Sequence, residues 1–140
     1  MRADFHDAHG RHLNDADRLM SAGRWANADL LYGLAAECGL KRLMAAFGMQ
    51  TDSTGSPTGQ DDRQHADRIW PRYESYRSGR HLGAAYSTSA ASMAAFADWN
   101  ASQRYAHQQN FDEPRVTPHQ SAAQEVSRLL LRARSDGLVP

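Results

Sequence analysis

The residues able to do chemistry fall into a few groups along the 140-residue chain. His6, His9 and His12 recur at a uniform three-residue step. Neutral imidazole is a common metal ligand, but three residues fall about 60° short of a full helical turn, and Gly10 interrupts the run. No His-Glu-x-x-His pattern and no Glu-x-x-His pair supports a metal enzyme, so no metal site is expected. Glu37 and Lys41 stand four apart with the acid first, the favourable order for an ion pair on a helix surface. The alternative is that Glu37 is an acid facing a cleft between helices. Arg77, Arg80 and His81 gather near a helix end, where cations complement the helix dipole or grip a phosphate. Arg104, Tyr105 and His107 follow Phe96 and Trp99, and an arginine beside an aromatic can stack on bases. Cys38 is the lone cysteine, so it forms no disulfide or cysteine metal site within the chain, and an inert thiol is expected. Glycine-rich phosphate loops, nucleophile elbows and kinase signatures are absent, and no cofactor is expected.

These groups need elements to position them. Residues 1–13 are polar and histidine-rich and read as a flexible arm. Asn14 or Asp15 would cap a short helix through Met20, and Ser21 to Gly23 would turn the chain. The strongest helical signal spans Arg24 to Phe47. It lacks proline, is rich in Ala, Leu and Met, and carries a wide apolar arc, as expected of a central helix. Gly48 would end it. Thr51 to Asp62 reads as an exposed, mobile loop. Arg63 to Arg80 reads as a helix that Pro71 must kink or open. A small-residue helix is expected around Ser87 to Ala106. Thr117, Pro118 and Gln120 form a capping-box pattern before the last helix. That helix has a core stripe of Ala122, Val126, Leu129, Leu130 and Ala133, and a stop at Gly137. No strand-period run competes. The expected fold is all-α, an up-and-down bundle of four to five helices, with residues 14–137 as one domain.

Composition bounds the function. Formal net charge is zero and the isoelectric point is near 7.1, which argues against a strongly basic nucleic-acid coat or a polybasic membrane binder. No membrane-length apolar run or signal peptide is visible, so a cytoplasmic protein is expected. Fifteen of the sixteen basic residues are arginine, Lys41 being the exception.

The order of segments resembles that of HEPN-type domains. A short helix and turn lead into a helix bearing Ala36, Glu37, Leu40 and Lys41, similar to the family's Ala-x-Glu-x-x-Leu-Lys pattern. His65 to Trp70 is similar to its His-led third segment, and Arg104-Tyr105 to the Arg-Tyr that closes a later helix. The resemblance covers about residues 14–137. It implies a helical bundle that often dimerises, with ribonucleases, RNA binders and partners of nucleotidyltransferases among its members. The ribonuclease members place four to six residues between Arg and His. Here Arg104 and His107 have two residues between them, and Arg115 and His119 have three.

The leading expectation is therefore a non-catalytic interaction protein, an antitoxin or immunity protein neutralising a toxin by direct binding. Trp70, Tyr73 and Tyr76 would be its partner-binding anchors if exposed; otherwise they pack in the core. The alternatives are a metal-independent ribonuclease using Arg104, His107 and Glu37 across a homodimer cleft, and a module binding RNA or nucleotide through Arg77, Arg80 and Arg104.

Overall fold

Good helix formers dominate the chain, and the computed structural model, which describes all 140 residues, is all-helical. It contains α1 (Phe5–Ser21), α2 (Trp25–Ala46), α3 (Ile69–Arg77), α4 (Ala90–Ala95) and α5 (Glu113–Ser135), with five short 3₁₀ segments between them. The single bridge of β type joins Thr51 to Pro57.

Twelve of the 22 residues of α2 are buried, which makes it the central helix. α1, α3 and α5 all pack against it, and α4 packs on α5. Two glycines notch its surface. A Cβ on Gly33 would lie 2.1 Å from the Trp99 ring, and one on Gly39 would lie 2.4 Å from Val126 and 2.8 Å from His9. Each glycine costs the helix about 1 kcal/mol relative to alanine. In return Trp99 sinks to 1% exposure, and α1 and α5 approach α2 closely. The turn after α2 uses Gly48 at φ +112°, and Gly23 at φ +70° turns α1 into α2.

Several boundaries differ from the sequence reading. The expected arm is the beginning of α1. Asp4 caps it by accepting from the His6 and Asp7 amides, both at 3.0 Å, so neither Asn14 nor Asp15 starts a helix. The physical reason is His9, which is buried and donates from Nδ1 to the Ala35 carbonyl at 2.8 Å. Counted as apolar, it completes a core stripe with Phe5, Leu13 and Ala16. Residues 51–62 are a structured turn. The Asp52 carboxylate accepts from the Thr54 amide and hydroxyl and the Ser56 amide, while Gly55, Pro57 and Asp62 are buried.

The helix expected over 63–80 is only α3, and Pro71 lies in its first turn, where its missing N–H costs nothing. The helix expected over 87–106 breaks into α4 and 3₁₀ turns at Phe96–Asp98 and Ala101–Tyr105. α5 begins one turn earlier than its capping-box pattern suggests. Asp112 is the cap and Pro114 lies in the first turn. Its core stripe is as expected, with Ala122, Val126, Leu129, Leu130 and Ala133 all buried.

Trp70 and Tyr73 are not exposed anchors. They are 4% and 0% exposed, Trp70 stacks on Phe96 at 5.7 Å, and the Tyr73 hydroxyl donates to the Tyr86 carbonyl at 2.6 Å. Their spacing places them on the face of α3 that meets α2. Tyr76 is half-buried, its hydroxyl donating to Asp62 at 2.6 Å.

Candidate functional site

Burying a charged side chain is costly unless a partner compensates it, so buried charges mark where this sequence has done something specific. One such group centres on Asp29 of α2 and His119 of α5, 0% and 1% exposed. His119 Nδ1 hydrogen-bonds Asp29 Oδ1. Its Nε2 lies 2.9 Å from the Ala95 carbonyl and 2.8 Å from Asp98 Oδ1. Both ring nitrogens therefore face acceptors only, and an imidazolium donating on both sides satisfies them. Burial alone would lower the His119 pKa. The hydrogen bonds and charges of Asp29 and Asp98 together outweigh it, and the pKa is raised. Phe96 stacks on the ring at 4.9 Å.

This pair secures a surface turn. The other Asp29 oxygen accepts from Gln103 Nε2 at 2.7 Å, and the Asp29 carbonyl accepts from Trp99 Nε1 at 3.0 Å. Asn100 and Gln103 cap the Ala101–Tyr105 turn reciprocally. Arg104 and Tyr105 project from this fastened platform. Tyr105 is 79% exposed, and the Arg104 guanidinium stacks 4.8 Å from its ring centroid. His107 follows on the exposed surface, its Nδ1 accepting from the Gln109 amide at 3.2 Å.

The second group gathers around Glu37 of α2. Lys41 Nζ donates to Oε1 at 2.7 Å, and His65 Nδ1 bonds Oε2 at 3.0 Å. Glu37 and Lys41 are 8% and 6% exposed, so this is no surface pair. Lys41 also lies 5.8 Å from the Phe5 ring centroid. The turn into α3 carries His65, with Ala66 and Ile69 buried beside it, and the His65 carbonyl accepts the Arg68 and Ile69 amides. Two segments that carry the family resemblance, Glu37 with Lys41 and the His65 turn, thus meet at one carboxylate.

The remaining candidates are dispersed. Arg77 is ion-paired with Glu74 and reaches the Gly83 carbonyl. The Arg80 guanidinium lies against Gly48, at the C-terminal end of α2, whereas Arg104 follows Gln103, which bonds Asp29 near its N-terminal end. Nineteen residues at 1.5 Å each separate those points by about 28 Å. Arg77, Arg80 and Arg104 therefore do not converge on one phosphate. Glu37 is bonded to Lys41 and His65, while Arg104 bonds the Ala101 carbonyl. His6, His9 and His12 form no metal-binding cluster. Burial pushes the Cys38 thiol pKa up to about 12, with the Glu37 charge adding to it, which leaves it a poor nucleophile. No helix is long and apolar enough to cross a membrane.

The sequence reading missed the Asp29–His119 pair, although a signal was present. Asp29 interrupts the apolar arc of α2, and His119 lies three and four residues before Ala122 and Ala123, in phase with the α5 core stripe. Two opposite charges at core positions of two helices call for each other.

No protein-family model, no curated protein and no solved structure matches this chain.

Proposed function

We propose that the protein is a HEPN-like, non-catalytic interaction module that docks a protein partner through the Arg104–Tyr105 turn. The observation that carries this reading is a tyrosine 79% exposed, with an arginine stacked on it, on a turn tied to a buried ion pair. Arginine and tyrosine are enriched among residues that dominate interface energies, and a platform already held in place loses little conformational freedom on docking. The fitting partner surface has an apolar pocket for Tyr105 and a carboxylate opposite Arg104. An antitoxin or immunity protein that blocks a toxin by direct contact suits such a device. The Arg-Tyr pair is also one of the segments that resemble the HEPN family.

The test is quantitative affinity capture from nuclease-treated native lysate with wild type, Tyr105→Ala and Leu131→Ala, the last altering an exposed apolar residue on α5. A partner retained by wild type and Leu131→Ala should be depleted roughly 30-fold or more by Tyr105→Ala, the size of a hot-spot truncation. Equal recovery with all three overturns the reading. The same pair could stack on bases, and this favours a second reading, the ribonuclease using Arg104 and His107. RNA cleaved in chelator by wild type but not by Arg104→Ala would replace the interaction reading with that one.

A further inference from the structure

Lys41 is buried, yet it forms part of the wall of a surface depression of about 370 Å³, together with Phe5, Ser56 and Arg63. A second depression, of about 480 Å³, adjoins it across Ala3 and Phe5 and is lined by Arg2 and Arg42. Four cations thus border the groove formed by these two depressions, which share Ala3 and Phe5. Only two acids border it, Asp4 and Asp52, and both are engaged locally. Asp4 caps α1. Asp52 accepts three hydrogen bonds from its own turn, and they hold its carboxyl below the usual carboxylate range.

The cations retain more free donors. Arg63 uses Nε on the Pro57 carbonyl at 2.8 Å, which fixes the guanidinium and leaves its two terminal nitrogens. Lys41 spends one of its three protons on Glu37. A buried ion pair is no efficient way to add stability, so a Glu–Lys pair set into a groove wall calls for a reason beyond packing.

We propose that this groove binds the phosphate group of a small phosphate monoester, held by Lys41 and Arg63. Glu37 serves as the positioning residue for Lys41. Arg42 and Arg2 extend the positive surface toward the remainder of the ligand, and the Ser56 hydroxyl adds a neutral donor. A preset ammonium and a guanidinium lining the same depression match the charge and the several acceptor oxygens of a phosphate. The site is separate from the Arg104–Tyr105 turn and does not depend on the interaction reading.

Phenyl phosphate is the probe, titrated into the full chain and followed by calorimetry and by amide chemical shifts. Saturable binding is expected, with shifts centred on Ser56, Arg63 and Arg42. Arg63→Gln should weaken it about tenfold or more, equivalent to 1.4 kcal/mol. Arg63 is exposed, so this variant should keep the wild-type melting temperature. Lys41→Met should abolish binding, and the double variant Glu37→Gln, Lys41→Met covers the case in which orphaning Glu37 unfolds the single one. Arg104→Gln should bind as wild type does. Absence of saturable binding overturns the proposal, as does binding that survives Arg63→Gln undiminished or is lost equally in Arg104→Gln.

Discussion

Replacing Gly33 with alanine tests how the Arg104–Tyr105 turn is held. Alanine is the better helix former by about 1 kcal/mol, and at an open helix position this exchange stabilises. Here the new methyl would lie 2.1 Å from Trp99 Cε2, 2.3 Å from Cζ2 and 2.4 Å from Nε1. Carbon atoms rest about 3.5–4.0 Å apart, so the indole must retreat by about 1.5 Å. Overpacking of this kind costs about 1–3 kcal/mol. The retreat also breaks the Trp99 Nε1 bond to the Asp29 carbonyl, worth about 1 kcal/mol. The net expectation is a loss of about 1–3 kcal/mol, since the steric and hydrogen-bond losses exceed the propensity gain. Leucine at position 99 lacks all three clashing atoms. In a Trp99→Leu background, Gly33→Ala should therefore change sign and stabilise by up to about 1 kcal/mol. Urea unfolding followed by circular dichroism measures all four corners of the cycle. A stabilising Gly33→Ala in the Trp99 background would refute the slot, and so would the same effect in both backgrounds.

Two further perturbations address the charged pair and the N-terminal turn. His119→Asn leaves Asp29 buried with Gln103 as its remaining side-chain partner, a loss of about 3–5 kcal/mol. Because the folded-state pKa of His119 lies above its ordinary 6.5, its contribution is complete below 6.5 and fades as pH rises through the folded value. The stability gap between wild type and variant should therefore narrow toward alkaline pH, and a gap that widens with pH contradicts the assignment. The comparison must be between proteins, because His9 opposes it in the wild type. Burial, aided by His6 and His12, lowers the His9 pKa against a partial rise from its bond to Ala35, so His9 costs stability as pH falls below 6.5. Gly55 holds φ at +80°, and a Cβ there would lie 2.5 Å from the Ala3 carbonyl oxygen. Gly55→Ala should cost at least about 1 kcal/mol locally and release the Ala3 amide from the Thr54 carbonyl. Hydrogen exchange at Ala3 that matches wild type would contradict this.

The long helices were legible because their apolar periodicity is dense. α2 and the core stripe of α5 follow from Ala, Leu and Val at helical spacing. α1 was half-legible, since its early register depends on His9 acting as a core residue, and an isolated histidine reads as polar. The segment from 87 to 106 was misread because alanine-rich sequence has high helix propensity, while tertiary contacts decided otherwise. Trp99 enters the Gly33 slot and Asn100 caps a new turn, so a continuous helix could not satisfy both. The Glu37–Lys41 pair had the spacing of a surface pair and turned out buried, because spacing along a helix records neighbours on that helix and nothing of what covers them. His65, which covers it, lies 28 residues away in sequence.

The two acids of α2 help hold the segments packed on it in one arrangement. Much of the buried surface of α2 is built of small residues, Ala28, Gly33, Ala35, Ala36 and Gly39, and small side chains alone allow packed elements to slide. Asp29 and Glu37, eight residues apart, each accept from partners distant in sequence. Asp29 takes His119 and Gln103, and Glu37 takes His65. Displacing either segment by one residue would remove a hydrogen-bonding partner from a buried carboxylate, a penalty larger than that of a lost methyl contact. Apolar burial thus supplies the drive to pack, and the paired acids select the register. The two surfaces proposed to bind ligands, the Arg104–Tyr105 turn and the Lys41–Arg63 groove, are each tied to one of these acids, through Gln103 and through Lys41.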